Sequence, residues 1–141
     1  MKTQLKDSIG FKVNITANLF NNIFNQQLQT YDIAIEQRAT LEIIQVEKNI
    51  TQTKIAQILG KDKTTISRTL KTLEKKGLIK KEALDKRTFL IKLTEQGYEV
   101  LEKSSQTVQA FREKIASKFT QDEINELFKS LDKVTLALSE E

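Results

Sequence analysis

Apolar side chains recur every three to four positions along the first third of the chain, which is the spacing of one face of an α-helix. Residues 7–29 form one such segment, and residues 36–46 form a second that we predict to be a heavily buried helix. The pattern breaks at residues 32–35, which predicts a loop. The first stripe contains Phe11, Ile15, Leu19, Phe20, Ile23 and Phe24. The second contains Ala39, Leu41, Ile43, Ile44 and Val46.

Two shorter helices with clear start and stop signals follow. Thr51 can cap a third helix that runs to Leu59, where Gly60 supplies a left-handed turn. Asp62 can cap a fourth helix, and Gly77 ends it. These two helices on either side of a sharp turn have the outline of a helix-turn-helix.

The spacing of three residues supports that interpretation. Ala56, Gly60 and Ile66 stand four and six residues apart. The small residue lets the two helices cross closely, and the glycine allows the chain to turn. The aliphatic residue packs the second helix against the first.

A two-stranded ribbon and two long helices complete the predicted order. Residues 78–83 and 88–93 are short segments that mix apolar and polar residues, which predicts two strands joined by a tight basic turn. Thr94 is suited to cap a fifth helix that runs to about Phe119, and Thr120 or Asp122 begins a sixth. The sixth helix carries a near-heptad stripe of Ile124, Leu127, Leu131, Val134 and Leu138.

The first, fifth and sixth helices carry more apolar surface than one small winged core needs. We expect this surface to be buried against a second copy of the chain, because two-fold dimers are the commonest protein assemblies. The alternative is a three-helix bundle within one chain.

Composition excludes several kinds of site. The 141 residues contain neither cysteine nor histidine, so disulfides, thiol switches, Cys/His zinc sites and Cys- or His-dependent catalytic dyads are impossible within them. No spacing of the remaining polar residues suggests catalysis, and we expect neither an enzyme nor a cofactor or metal site. No apolar run approaches the roughly 18 residues of a membrane span, and no signal-peptide pattern opens the chain. We therefore expect a cytoplasmic protein with no membrane partner.

The net charge of +4 conceals an uneven distribution. Between Lys48 and Lys92 there are 13 Lys or Arg and four Asp or Glu, a net of +9, while the remainder carries a net of −5. Positive charge concentrated in one third of a chain is the pattern expected for a polyanion partner. A solvated, lysine-rich surface is the simpler explanation when charge is considered alone.

The fourth helix separates apolar from polar residues. At about 100° per residue, one narrow sector contains Ile66, Leu70 and Leu73. The other side carries hydroxyls near the helix start and cations further along, namely Thr64, Thr65, Ser67, Arg68, Lys71, Thr72 and Lys75. Hydroxyls and a guanidinium can contact base edges, and lysines further along the helix can contact phosphates. An ordinary solvated helix face is the alternative.

The turn of the ribbon has the sequence Asp85-Lys86-Arg87. Arg87 could enter a minor groove, where narrow A·T tracts concentrate negative potential. DNA phosphates would repel Asp85, so we expect its carboxylate to orient Arg87 or another cation through a charge-assisted hydrogen bond. Alternatively, its side chain only forms the turn.

The order of helices and four segments resemble the MarR family of bacterial transcriptional regulators. The segments are Asp62-Lys63-Thr64-Thr65-Ile66-Ser67-Arg68, Leu73-Glu74-Lys75-Lys76-Gly77-Leu78-Ile79, Asp85-Lys86-Arg87 and Leu93-Thr94-Glu95-Gln96-Gly97. The resemblance implies a mainly α fold with a small β-hairpin, in which residues 36–93 form a winged helix-turn-helix and residues 1–30 and 95–141 form a helical dimerisation region.

The resemblance also implies a function and a set of residues. We expect a homodimer that binds double-stranded DNA at a pseudo-palindromic operator, most simply as a repressor. We also expect that binding of a small organic effector releases the dimer from the operator. Sensing of oxidants through cysteine or of metals through histidine does not fit this composition. The candidate DNA-binding residues are Lys63, Thr64, Thr65, Ser67, Arg68, Lys71, Lys75, Lys86 and Arg87, with Asp85 as the residue that orients the wing.

Two other functions remain open at this point. An architectural protein that binds DNA of any sequence would use the same basic segment. A winged-helix module that binds an acidic protein would direct Lys71 and Arg87 at carboxylates instead of phosphates.

Overall fold

Six α-helices and one β-hairpin make up residues 4–140, the part of the chain that the computed structural model describes. In chain order the elements are α1 (Ile9–Leu28), α2 (Ile35–Val46), α3 (Gln52–Leu59), α4 (Lys63–Lys75), β1 (Ile79–Ala83), β2 (Phe89–Leu93), α5 (Glu95–Ala116) and α6 (Gln121–Ser139). Short 3₁₀ turns lie at Leu5–Asp7 and Gln29–Tyr31. The predicted mainly α fold with a small hairpin is confirmed.

The chain divides into two compact units. One ends at Ser105 and holds α1 to α4, the hairpin and the first part of α5. The other begins at Gln106 and holds the rest of α5 together with α6. No helix among the described residues combines the length and the apolar character needed to cross a bilayer.

The predicted signals at the ends of α3 and α4 are confirmed. The Thr51 hydroxyl and the Asp62 carboxylate each accept a hydrogen bond from the backbone N–H three residues later, at 3.3 and 2.7 Å. Gly60 and Gly77 follow the two helices with φ of 63° and 77°. This left-handed region suits glycine, which has no Cβ to collide with the backbone.

The boundaries of the long helices differ from the predicted ones by a few residues. α1 begins at Ile9, because the Ser8 hydroxyl accepts from the backbone of the first turn. α5 ends at Ala116, before the predicted Phe119. Of the two predicted starts for α6, Thr120 is the cap, and it exchanges hydrogen bonds with Glu123 in a capping box.

Val46 corrects one expectation about α2. The prediction placed it in a heavily buried stripe, but its side chain is 72% exposed, whereas Leu41 and Ile44 are buried. Val46 lies two positions, or about 200°, beyond Ile44 on the helix. It therefore projects from the opposite face.

The core of the unit that ends at Ser105 is built by the winged-helix elements. Its fully buried aliphatic residues include Leu28, Leu41, Ile55, Ile66, Leu70, Leu73 and Ile91. In the antiparallel hairpin, Ile79 pairs with Leu93. The backbone N–H of Ile91 donates to the carbonyl of Ile50 at 2.8 Å, which ties β2 to the segment before α3.

Two features hold the first part of α5 to this core. The buried Arg38 guanidinium of α2 donates to the Ser104 hydroxyl at 2.9 Å and to the Leu101 carbonyl at 3.3 Å. A Cβ on Gly97 would collide with the Leu78 carbonyl, so the start of α5 approaches the hairpin as closely as only glycine permits.

The outer helices leave much of their apolar surface exposed. α1 buries only Phe24 and Leu28, both near its end. α6 has no buried residue. The exposed apolar side chains of these two helices include Ile9, Ile15, Leu19, Leu127, Phe128, Leu131, Leu136 and Leu138.

Candidate nucleic-acid interface

α4 is held by its apolar stripe and presents its polar side to solvent. Ile66, Leu70 and Leu73 are at most 2% exposed, as their spacing predicted. Seven predicted DNA-binding residues lie on the rest of the helix, and we call them the α4 face: Lys63, Thr64, Thr65, Ser67, Arg68, Lys71 and Lys75. All seven are exposed or half-buried.

The side chains of the α4 face differ in how many groups they offer to a ligand. Arg68 and Lys71 are exposed, and no ion pair within 4 Å holds either of them among the described residues. Thr72, on the flank of the face, donates its hydroxyl to the Arg68 carbonyl at 3.1 Å. That bond within the helix makes Thr72 a poorer candidate for base contacts than Thr64 or Ser67.

Asp62 places a negative charge at the start of the α4 face. The backbone N–H of Thr65 donates to this carboxylate, and the Thr65 side chain also bonds to it, so the pKa of Asp62 lies below its ordinary value. The carboxylate therefore stays ionised at neutral pH and keeps the first turn of α4 in place.

The wing is the loop between β1 and β2. The Asp85 carboxylate accepts hydrogen bonds from the backbone N–H groups of Arg87 and Thr88, both at 2.8 Å. These two bonds lower the pKa of Asp85. The bonds go to the main chain and not to a guanidinium, which matches the turn-forming alternative. Asp85 sets the backbone of Arg87 and leaves its guanidinium exposed.

One cleft joins the wing to the helix-turn-helix. Its volume is about 240 Å³, and it is lined by the start of α3, the start of α4 and the wing. Lys63 of α4, Lys81 of β1 and Arg87 of the wing lie on its walls, with Gln52 of α3. Gln52 also donates to the Lys63 carbonyl at 3.4 Å. Three cations from three elements thus surround one opening.

Two of the predicted residues, Lys63 and Arg87, line this cleft, and the structure adds others to it. Lys86 and Arg87 are exposed in the wing, and Lys63 shares the cleft with Arg87. The prediction missed Lys81 and Gln52, which were not distinguishable from other polar residues of their segments. Alternation along β1 places Lys81 on the same face as the buried Ile79, so it gave no signal of an exposed cation.

Known proteins resemble this chain over nearly its whole length. The MarR family model matches residues 33–89. The transcriptional regulator MgrA of Staphylococcus aureus is 30% identical over 142 aligned residues, which cover 96% of this chain and 93% of MgrA. The chain belongs to the MarR family. The resemblance of its motifs to that family is therefore confirmed.

Two solved MarR-family structures superpose closely on the chain. One is the DNA complex of MepR from Staphylococcus aureus, with a TM-score of 0.86 and 25% identity over 93% of this chain and 98% of MepR. The other is a mutant of MarR from Escherichia coli with operator DNA, with a TM-score of 0.80 and 28% identity over 89% and 92% of the two chains. This MarR-family chain is accordingly a transcriptional regulator with a winged helix-turn-helix, and it is not an enzyme.

Proposed function

We propose that this MarR-family regulator binds a specific operator sequence through the α4 face and the wing, and that it represses transcription from that site. The observation that carries the proposal is the cleft shared by Lys63, Lys81 and Arg87. It directs cations from a helix and from the wing toward one side of the unit, as a ligand with closely spaced phosphates requires.

In this proposal α4 enters the major groove. Thr64, Ser67 and Arg68 lie in the first two turns of the helix, and their hydroxyls and guanidinium contact base edges. Lys71 and Lys75 lie one and two turns further along and contact phosphates as the groove diverges from the helix. MepR and MarR, which have a similar fold, were solved in complex with DNA, and this supports DNA as the ligand.

The wing supplies a second contact. Arg87 is exposed, and its backbone is fixed by Asp85. A guanidinium on such a fixed turn suits a narrow minor groove, where the potential is most negative. Lys86 contacts the neighbouring phosphates.

We further propose that the chain works as a homodimer. α6 has no buried residue, yet Leu127, Leu131 and Leu138 recur on it at near-heptad spacing. α1 also exposes a row of aliphatic side chains. In this proposal residues 1–30 and 95–141 provide the dimer interface and residues 36–93 bind DNA, so two α4 helices meet a pseudo-palindromic operator.

The signal that releases the operator is, in this proposal, a small organic molecule that binds without a covalent bond. The resemblance to the family suggests a molecule of this kind. The absence of cysteine and histidine from the 141 residues removes the side chains of the common oxidant and metal sensors.

The test is selection of genomic fragments by the purified protein, followed by competition with random DNA. We expect a symmetric site bound with a dissociation constant in the range of roughly 10⁻⁸ to 10⁻¹¹ M, with a steep salt dependence. Binding without sequence preference would indicate an architectural protein instead. Failure to bind any DNA at low salt would favour a protein-interaction module.

A further inference from the structure

Two lysines lie next to α4 in the chain, Lys61 before it and Lys76 after it. Sequence alone groups both with the cations of the basic segment. In the structure their ammonium groups contact the beginning of α2 and the loop before it. We propose that Lys61 and Lys76 are positioning residues that hold the two ends of α4 against α2 and do not contact DNA. The inference rests on the proposed DNA-binding role of α4.

Lys76 makes the stronger of the two contacts. Its ammonium donates to the Asp32 carbonyl at 2.8 Å and to the Gln37 side-chain oxygen at 3.1 Å. The Asp32 carboxylate lies at 4.0 Å, and the Lys76 side chain is only 29% exposed. An ammonium has three donors, and two of them are used in these hydrogen bonds. Little of its hydrogen-bonding capacity is left for a phosphate.

The main chain fixes both partners of this contact. The backbone N–H of Lys76 donates to the Thr72 carbonyl, so the lysine stem starts from the last turn of α4. Asp32 has a φ of 53°, in the left-handed region that aspartate tolerates better than most residues. Its backbone N–H donates to the Gln29 carbonyl. The contact therefore joins two turns that are already ordered.

Gln37 connects the contact to the start of α2. Its side-chain oxygen accepts from the Ala34 backbone N–H at 3.1 Å and also from Lys76. The same oxygen thus satisfies a free N–H at the beginning of α2 and holds the end of α4. Loss of Lys76 removes this contact from the end of α4 while the capping bond of α2 remains.

Lys61 makes the corresponding contact before α4. Its ammonium lies 3.0 Å from the Glu36 carboxylate, and both side chains are about half exposed. Its backbone N–H donates to the Ala56 carbonyl at the end of α3. Exposed ion pairs are weak, so we expect a smaller effect from Lys61 than from Lys76. Glu36 and Gln37 are neighbours, and α4 is therefore held at both ends by one turn of α2.

Lys75 and Lys76 provide a matched pair for the first experiment. The proposal gives these adjacent lysines different roles, since Lys75 contacts DNA and Lys76 contacts α2. We expect Lys75→Met to weaken operator and random DNA alike and to reduce the slope of log affinity against log salt by about one. Lys76→Met should weaken operator binding by about three- to tenfold with less effect on random DNA, and it should leave the slope unchanged. A slope reduced by about one in Lys76→Met, with equal losses on both DNAs, would overturn the proposal.

The operator affinity of the variant Gln37→Glu gives a second, independent test. It keeps the oxygen that caps α2 and gives Lys76 a charged partner, so we expect operator binding to be retained or strengthened. If Lys76 contacted a phosphate, the added carboxylate would compete for it and binding would fall. A fall of tenfold or more would contradict the positioning role.

A charge exchange tests Lys61. Lys61→Glu and Glu36→Lys should each weaken operator binding by about two- to threefold, and the double variant should recover most of that loss. If Lys61 contacted DNA, the double variant would stay as weak as Lys61→Glu.

Denaturation without DNA separates this inference from the proposed function. In a cycle of Lys76→Met, Gln37→Leu and the double variant, we expect the effects on the unfolding equilibrium constant to be non-additive by about twofold or more. Additive effects would show that the two side chains do not interact. If the wild-type protein bound no DNA but the cycle showed coupling, the proposed function would fail while the contact with α2 stood.

Discussion

α4 and α6 are both amphipathic helices, but their apolar stripes have different surroundings. In α4, Ile66, Leu70 and Leu73 are buried, and the polar side faces solvent. In α6, Leu127 and Leu131 are about 40% exposed and Leu138 is 81% exposed. A buried stripe packs against the core of its own chain, whereas an exposed stripe is typical of an interaction surface.

The contrast indicates which side of each helix is available for binding. α4 is fixed by its apolar side, so its polar side is free to contact a charged partner such as DNA. The apolar side of α6 is largely exposed in a single chain, so that side is the one available for association. Periodicity alone would have described both helices as ordinary amphipathic elements.

The largest expected effect comes from the buried stripe of α4. Leu70 is fully buried, and Leu70→Ala should lower the free energy of unfolding by about 2–5 kcal/mol through lost burial and a residual cavity. Urea denaturation measures the change. Thr72→Ala, on the exposed side of the same helix, should cost less than about 0.5 kcal/mol. Equal effects of the two variants would mean that α4 is not anchored by this core.

The corresponding change in α6 tests association. Leu127→Asp with Leu131→Asp should keep the helix content but weaken the proposed dimer by about 3 kcal/mol, because carboxylates are costly at an apolar interface. Sedimentation and circular dichroism measure the two properties. Lys133→Asp adds a carboxylate to the polar side of α6 and should leave the dimer intact. A double variant that sediments like the wild type would exclude this stripe from the interface.

The polar side of α4 provides the next test. Arg68→Ala should cost about 1–3 kcal/mol in operator binding and relax the preference at one base step, while random DNA is less affected. Lys75→Ala, by contrast, should weaken all sequences alike. Quantitative mobility shifts with operator and random DNA measure both. If both variants reduced specific and random binding equally, the assignment of base contacts to Arg68 would be wrong.

The smallest effect concerns the wing and depends on pH. The pKa of Asp85 is lowered by its hydrogen bonds to Arg87 and Thr88, so its stabilising contribution is present at neutral pH. That contribution is lost as the pH falls from the ordinary aspartate value of 3.8 through the lowered pKa. The difference in unfolding free energy between wild type and Asp85→Ala should therefore be constant near neutrality and shrink in acid. Denaturation at a series of pH values measures it, and a difference that grew in acid would refute this account.

Local patterns predicted much of the fold and the main part of the candidate site. Thr51, Gly60, Asp62 and Gly77 act where the sequence placed them, because capping and left-handed turns depend on a few adjacent residues. The two strands were predicted to within one residue of their observed starts. The α4 face followed from the buried stripe, since both depend only on helical periodicity.

Two other features were not decided by the sequence pattern. Asp85 could have bonded a guanidinium or a backbone N–H, and the geometry of the loop selected the backbone. The buried Arg38 guanidinium pairs with Glu42 on the same helix, but it also donates to Ser104, 66 positions later. No local pattern marks Ser104 as a partner of Arg38.

The sequence by itself determined the order of elements, the ends of the short helices and the polar side of α4, because each of these is set by contacts within one or two turns of chain. Tertiary structure alone decided that Lys75 faces solvent while Lys76 meets the Gln37 oxygen, 39 positions away. It also decided which amphipathic helices find their apolar partner within the chain. The reason is that the direction of a long side chain, and the burial of a helix face, depend on which distant segment packs beside it.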